Sequence, residues 1–258
     1  MAFNWEGVGI QIAQVISPSL KNPKIIYLAS DKDLNLVQNP FLKFEVDEPN
    51  MIESCWDKKT ERMVWYISGQ SGSGKSYYTG KLLKKYKKAY PKNEIYILSS
   101  VNEDKSFDSM KVNRIKLEGL LSEDLQATDF KDSLVIIDDC DCITNKAIKT
   151  KVLSIQNTLL ETGRHHNVSV ILTSHLTTDG AVTKRALNES TRLVCFPSNM
   201  NGRNFKYLME NYLGFDNKQV DYLKKLPTRP LTICKSYPQC IITDNMISFS
   251  KNILDPAV

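Results

Sequence analysis

The chain has 258 residues, 41% of them hydrophobic and 24% charged, and a net charge of +5 from 34 basic and 29 acidic side chains. That balance suits a globular protein with a well-buried core, and no apolar run reaches the 18 residues expected of a membrane helix. The first twenty residues place no basic side chain ahead of their apolar patch, which argues against a secretory signal. The six cysteines (55, 140, 142, 195, 234 and 240) are therefore expected to be reduced.

Residues 1–60 carry six lysines, eight acids and an irregular apolar pattern, with strands expected at Lys24–Ser30 and Phe41–Val46. They read as an N-terminal extension packing on a main domain of residues 61–258. Met63–Ile67 is an apolar, strand-like run that breaks into Gly69-Gln70-Ser71-Gly72-Ser73-Gly74-Lys75-Ser76, matching G-x-x-x-x-G-K-[ST]. The glycines let the loop curl so that successive backbone N–H groups point at phosphate. Lys75 supplies charge at the β- and γ-phosphates, and the Ser76 hydroxyl is the expected ligand of Mg²⁺. A helix expected over Ser76–Tyr90 adds its N-terminal dipole. ATP or GTP is the expected ligand.

That helix buries Thr79, Leu82, Leu83, Tyr86 and Tyr90 on one face and carries Lys81, Lys84, Lys85 and Lys88 on another. Between Lys75 and Lys92 there are seven lysines and no acid. The lysine face is either a solvated surface or a contact for nucleic-acid phosphate or an acidic partner. Strands are expected at Glu94–Ser100, Arg114–Leu117, Ser133–Asp139 and Val168–Ser174, and a helix at Lys146–Thr162 that Gly163 stops. The continuous apolar run of Ser133–Asp139 suits a parallel strand buried on both faces. A short helix at Ala181–Leu187 and a strand at Arg192–Pro197 follow. Helices at Asn204–Leu213 and Lys218–Leu226 come next, then short strands at Leu231–Lys235, Cys240–Thr243 and Met246–Phe249 that suit a sheet edge or hairpin. Strands alternating with helices predict a mostly parallel, doubly wound α/β sheet.

Several polar residues cluster in this pattern. Asp138, at the carboxyl end of a buried strand, is placed to hold Mg²⁺. Asp139 either orients the attacking water or caps the turn after the strand. Ser174 and His175 end the next buried strand, where they sense the γ-phosphate or cap the strand. Arg164 precedes that strand, at the end away from the phosphate loop of its own subunit. It either serves a neighbour's site as an arginine finger or forms a surface salt bridge. His165 and His166 beside it suit subunit-surface packing better than metal binding. Cys140-Asp-Cys142 lacks the second ligand pair that a zinc site needs.

The order G-Q-S-G-S-G-K-S, L-V-I-I-D-D and T-G-R-H-H-N-V-S-V-I-L-T-S-H resembles the genome-packaging ATPases of nucleocytoplasmic large DNA viruses, the poxvirus-type branch of the FtsK–HerA superfamily of P-loop NTPases. The similarity covers roughly residues 60–200. It implies a RecA-like core of the additional-strand (ASCE) class, with helices on both faces of the sheet. It also implies a hexameric or pentameric ring that uses ATP and Mg²⁺ to pump double-stranded DNA into a capsid, with capsid or portal proteins as partners. The expected setting is the host cytoplasm and the virion. Carried over by position, Lys75 and Ser76 bind phosphate and Mg²⁺, Asp138 positions Mg²⁺ and Asp139 is the catalytic acid. Arg164 becomes the finger, and Ser174 or His175 the sensor. Relatives often have Glu where Asp139 stands and Gln at the sensor position. Two other readings share the loop: a small-molecule kinase, which would need an arginine-bearing lid, and a weakly hydrolysing nucleotide-binding component of a virion.

Overall fold

A computed structural model describes residues 1–57, 62–101, 103–178 and 180–256. The chain divides into two compact units, one of residues 1–60 with 194–258 and one of residues 61–193. The domain boundary expected at residue 60 lies outside the described residues.

In chain order, the first unit opens with strands β1 (Ala2–Asn4), β2 (Ile10–Ile16), β3 (Lys24–Ala29), β4 (Lys43–Glu45) and β5 (Met51–Ser54). The second unit holds β6 (Val64–Ser68), α1 (Lys75–Ala89), β7 (Ile95–Ser99), α2 (Lys105–Asp108), β8 (Asn113–Ile115), β9 (Leu134–Asp138), α3 (Lys146–Thr162), β10 (Ser169–Ser174) and α4 (Gly180–Glu189). Strand β11 (Arg192–Cys195) carries the chain back to the first unit, which ends with α5 (Gly202–Tyr207), α6 (Asn217–Lys225), β12 (Leu231–Cys234), β13 (Cys240–Ile242) and β14 (Met246–Phe249). Among the described residues, no helix is long and apolar enough to cross a membrane.

The second unit is the doubly wound α/β core. Its strands run in the order β6–β10–β9–β7–β8, all parallel. Every residue of β6, β9 and β10 is buried, as expected of parallel strands covered on both faces. Strand β10 lies between the phosphate-loop strand β6 and the acid-bearing strand β9, which is the additional strand of the ASCE class. The crossover through α1 runs from β6 outward to β7, whereas that through α3 runs from β9 back to β10. Right-handed connections travelling in opposite directions place their helices on opposite faces. The contacts agree, since α1 packs on α2 and α3 on α4.

The first unit is antiparallel. Strands β1–β3–β2–β5 form one sheet, and β12, β13, β14 and β4 pair in succession. Their inner faces share a core that includes Phe3, Ile12, Ile26, Phe41, Ile52, Ile247 and Phe249, with Phe3 stacked on Phe249 at 4.3 Å between ring centroids. Strands β1, β2 and β5 lie where the sequence reads as irregular. The reason is local: the register of β2 slips between Gln11 and Ala13, and such a bulge breaks the two-residue alternation that marks a strand. Asn204–Leu213, expected as one helix, is α5 followed by a π turn over Leu208–Tyr212.

Candidate functional site

Strand register aligns the polar residues. Ser174 pairs with Ser68, Ser99 pairs with Asp138, and Leu172 pairs with Ile137, which sets Thr173 beside Asp138. The carboxyl ends of β6, β10, β9 and β7 thus form one polar edge on an apolar sheet. Open α/β sheets bind ligands outside this edge.

The phosphate loop, residues 69–74, turns from β6 into α1. Gly72 and Gly74 have φ of +77° and +105°, a region that a side chain would strain. Gly74 sits at the N-terminal boundary of α1 with no side-chain cap, so the first N–H groups of the helix are open to an anion. The Gly69 N–H donates to the Ser174 carbonyl at 3.1 Å, tying the loop to β10. Gln70, Ser71 and Gly72 are exposed, Ser76 is half-buried, and Ser73 is buried with its hydroxyl oxygen unpartnered among the described residues. A buried orphan hydroxyl inside such a loop is what a bound phosphate oxygen would satisfy.

Lys75 is only 7% exposed. Its ammonium donates to the Gly69 carbonyl at 2.8 Å, stands 3.4 Å from His175 Nδ1 and lies 3.7 Å from Asp139 Oδ1. His175 Nε2 is 2.9 Å from Asp139 Oδ2. An ammonium can only donate, so Nδ1 accepts and Nε2 carries the ring proton toward Asp139. The imidazole bridges the loop lysine and the acid.

Asp138 is buried and keeps two hydroxyl donors, Ser99 Oγ at 2.9 Å from Oδ2 and Thr173 Oγ1 at 2.7 Å from Oδ1. Among the described residues no cation pairs with it. Burial pushes its carboxyl above the usual carboxylate range and the charge of Asp139 adds to this, while the Thr173 and Ser99 hydroxyls pull against it. Asp139 has φ +45° and ψ +44°, an uncommon conformation that Asp tolerates better than most residues. Its N–H donates to Thr173 Oγ1 at 2.9 Å, and the same hydroxyl lies 3.1 Å from Asp139 Oδ1. A hydroxyl has one proton, and the shorter distance assigns it to Asp138. Thr173 thus fixes both acids at once. Thr173→Val is expected to lower stability by about 1–3 kcal/mol, because it strands a buried carboxylate oxygen; Thr173→Ser is expected to recover most of that loss, and urea unfolding of the two variants measures the difference.

Ser174 and His175 part ways in the structure. The Ser174 hydroxyl donates to Asp141 Oδ2 at 3.2 Å and accepts from the Leu176 N–H at 3.0 Å, the behaviour of a strand-end cap. His175 alone of the two side chains faces Lys75 and Asp139. Arg164 is exposed in the 3₁₀ turn Gly163–His166 before β10, at the far edge of the sheet from the loop. The geometry therefore gathers Lys75, Asp138, Asp139 and His175, and leaves Arg164 outside. The Cys140 thiol is pushed up to about 12 and that of Cys142 is raised, in each case by burial and then by the charge of Asp141, so neither favours the thiolate that binds metal. Thr173 and Asp141, which hold the acids and the end of β10, were not singled out by their residue types. The available signals were a third acid in D-D-C-D and a hydroxyl residue just before Ser-His.

No family model matches the chain. An uncharacterized protein, V3, of Sputnik virophage is 37% identical over 218 residues, covering 84% of this chain and 85% of that protein. Among solved structures, the pCW3 conjugation coupling protein TcpA, in a monomer form with ATPγS, aligns over 95% of this chain and 78% of its own at 12% identity, with a TM-score of 0.51. The genome packaging NTPase B204 of Sulfolobus turreted icosahedral virus 2, in complex with ATPγS, aligns over 70% of this chain and 97% of its own at 15% identity, with a TM-score of 0.47. The resemblance drawn from the motifs thus holds at the level of fold: the chain belongs to the family of the Sputnik virophage protein V3, on the P-loop ATPase fold that it shares with TcpA.

Proposed function

We propose that the protein is an ATP-hydrolysing DNA translocase that packages viral double-stranded DNA into a capsid as a hexameric or pentameric ring. The observation that carries this is the convergence of Lys75, Asp139 and His175 at the sheet edge beside the Asp138–Thr173 pair. A site that only binds phosphate needs the loop. One that hydrolyses also needs an acid aimed at a water and a group that reads the γ-phosphate.

In this reading residues 69–76 wrap the phosphates of ATP, and Lys75 moves from its contacts with Gly69 and Asp139 onto the β- and γ-phosphates. Ser76 and Asp138 would hold Mg²⁺. Asp138 fits that role as a buried acid that no cation pairs with among the described residues, its carboxyl raised by burial, because a bound divalent ion restores the ionised form. Such an ion neutralises phosphate charge during transfer. Asp139 orients and polarises water, His175 is the sensor in preference to Ser174, and Arg164 completes the site of a neighbouring subunit. The virophage relative supports a viral setting, and with it the host cytoplasm and the virion, with capsid or portal proteins as partners.

The lysines of α1 suit the phosphate backbone of DNA. Lys84 and Lys88 are exposed along a helix that carries no acid, and contacts of this kind grip without reading sequence. The test is steady-state ATP turnover with and without duplex DNA, alongside the oligomeric state. The expected result is an oligomer stimulated by DNA, whose affinity falls with salt at a log–log slope of about −0.9 per phosphate neutralised. Hydrolysis by a strict monomer indifferent to DNA would sink the proposal.

A further inference from the structure

We infer that Asp141 is a positioning residue for hydrolysis, pinning the backbone of His175 so that its ring bridges Lys75 and Asp139; this rests on the ATPase reading of the site.

The chain leaves β9 at Asp138, and the left-handed turn at Asp139 folds it back in the 3₁₀ turn Cys140–Cys142. That reversal brings the Asp141 carboxylate to the end of β10. Its Oδ2 accepts from the Ser174 hydroxyl at 3.2 Å and from the His175 backbone N–H at 3.0 Å. The second bond matters most. The sheet ladder of β10 stops at Ser174, so the His175 N–H has no strand partner, and Asp141 supplies its acceptor. A backbone pinned there leaves the imidazole little freedom except rotation about its own bonds. One end of the ring meets Lys75 and the other meets Asp139.

The turn is anchored from behind, since Lys149 Nζ donates to the Asp141 carbonyl at 2.9 Å. Asp141 Oδ1 is buried and unpartnered among the described residues. An unmet acceptor is costly, and it persists here beside two bonds that link the acid-bearing turn to the sensor strand. Thr173 joins β10 to Asp138 and Asp139 one residue before Ser174, so the two strand ends are stapled twice. The Thr173 staple sets the acids and the Asp141 staple sets the histidine.

The chain has three histidines, which makes the ring observable. The experiment records ¹⁵N spectra of histidine-labelled protein and ATP turnover for the wild type, Asp141→Ala and Asp141→Asn. In the wild type one ring is expected to show a neutral, Nε2-protonated signature that His175→Gln removes. Asp141→Ala is expected to lose that signature and up to about 10²-fold in kcat, the scale of a misplaced catalytic group, with ATPγS affinity unchanged. Asp141→Asn, whose amide oxygen can accept both bonds, is expected to restore most of each. In a His175→Gln background, Asp141→Ala is expected to add nothing, because the pair acts as one. An unchanged ring signature in Asp141→Ala overturns the inference, as does a kcat loss that persists undiminished in the His175→Gln background. If the wild type hydrolyses no ATP, the ATPase reading fails, while the ring spectra still decide whether Asp141 holds His175.

Discussion

Lys75→Ala is expected to cut ATP turnover by about 10²–10³-fold or more, the loss seen when one preorganised charge-stabilising donor is removed. Two separate effects push the same way. The ammonium is the cation of the loop, so its loss weakens phosphate binding. It also stands 3.7 Å from Asp139 and 3.4 Å from His175, so its loss takes the ammonium away from both the acid and the imidazole. Lys75→Arg is not a rescue, because the planar guanidinium is wider than the ammonium and Lys75 is almost fully buried. The measurement is kcat together with ATPγS affinity. Loss of both fits the loop reading, and turnover within tenfold of wild type would remove Lys75 from the site. A fall in thermal stability common to Lys75→Ala and Lys75→Met separates a folding defect from a chemical one, since Met keeps the buried stem.

The core was legible because its signals are local. Strands β6, β9 and β10 are continuous apolar runs, and α3 spans Lys146–Thr162, the range its periodicity predicts, because the Asn145 side chain accepts from the Ala147 and Ile148 N–H groups at its start. The order of motifs also foretold that β10 ends at the phosphate loop. Of the N-terminal sheet β3 was legible, whereas β1 is only three residues long and β2 is half-buried and bulged. Among the proposed site residues, Lys75 and Ser76 were read from the spacing of the loop and Asp138 and Asp139 from their place at the end of a buried strand. The contacts of Thr173 and Asp141 were not legible, because each depends on the left-handed turn at Asp139, which brings together residues more than thirty positions apart. Proposing His175 rather than Ser174 as the sensor likewise needed the direction of each side chain. Two adjacent polar residues at a strand end point to opposite sides, and only geometry says which of them faces Lys75 and Asp139.

The position of Arg164 leads to the largest expected effect. The six residues of β10 span about 20 Å at the usual rise per residue, and Arg164 lies before the first of them while the loop lies beyond the last. No rotamer bridges that distance within one subunit. Arg164 also lies close to a second cation. Arg62 lies behind it with its guanidinium donating to the carbonyls of Leu159 and Leu160, and burial lowers the Arg62 pKa, with Glu189 opposing and the Arg164 charge adding to the decrease. The two arginines thus sit together at the end of α3, away from the loop of their own subunit. If Arg164 meets the γ-phosphate of a neighbour's ATP, Arg164→Ala should lose about 10³–10⁵ in kcat while keeping ATPγS affinity. Mixing then separates a finger from a structural arginine. Lys75→Ala and Arg164→Ala subunits are each inactive alone, but in a head-to-tail ring the intact loop of an Arg164→Ala subunit can meet the intact arginine of a Lys75→Ala neighbour. Random co-assembly should restore active sites at about a quarter of the interfaces. Mixtures that stay as inactive as their parents, although the rings exchange subunits, would make Arg164 a structural arginine of its own subunit rather than a finger, and turnover retained in Arg164→Ala alone would assign it to the surface.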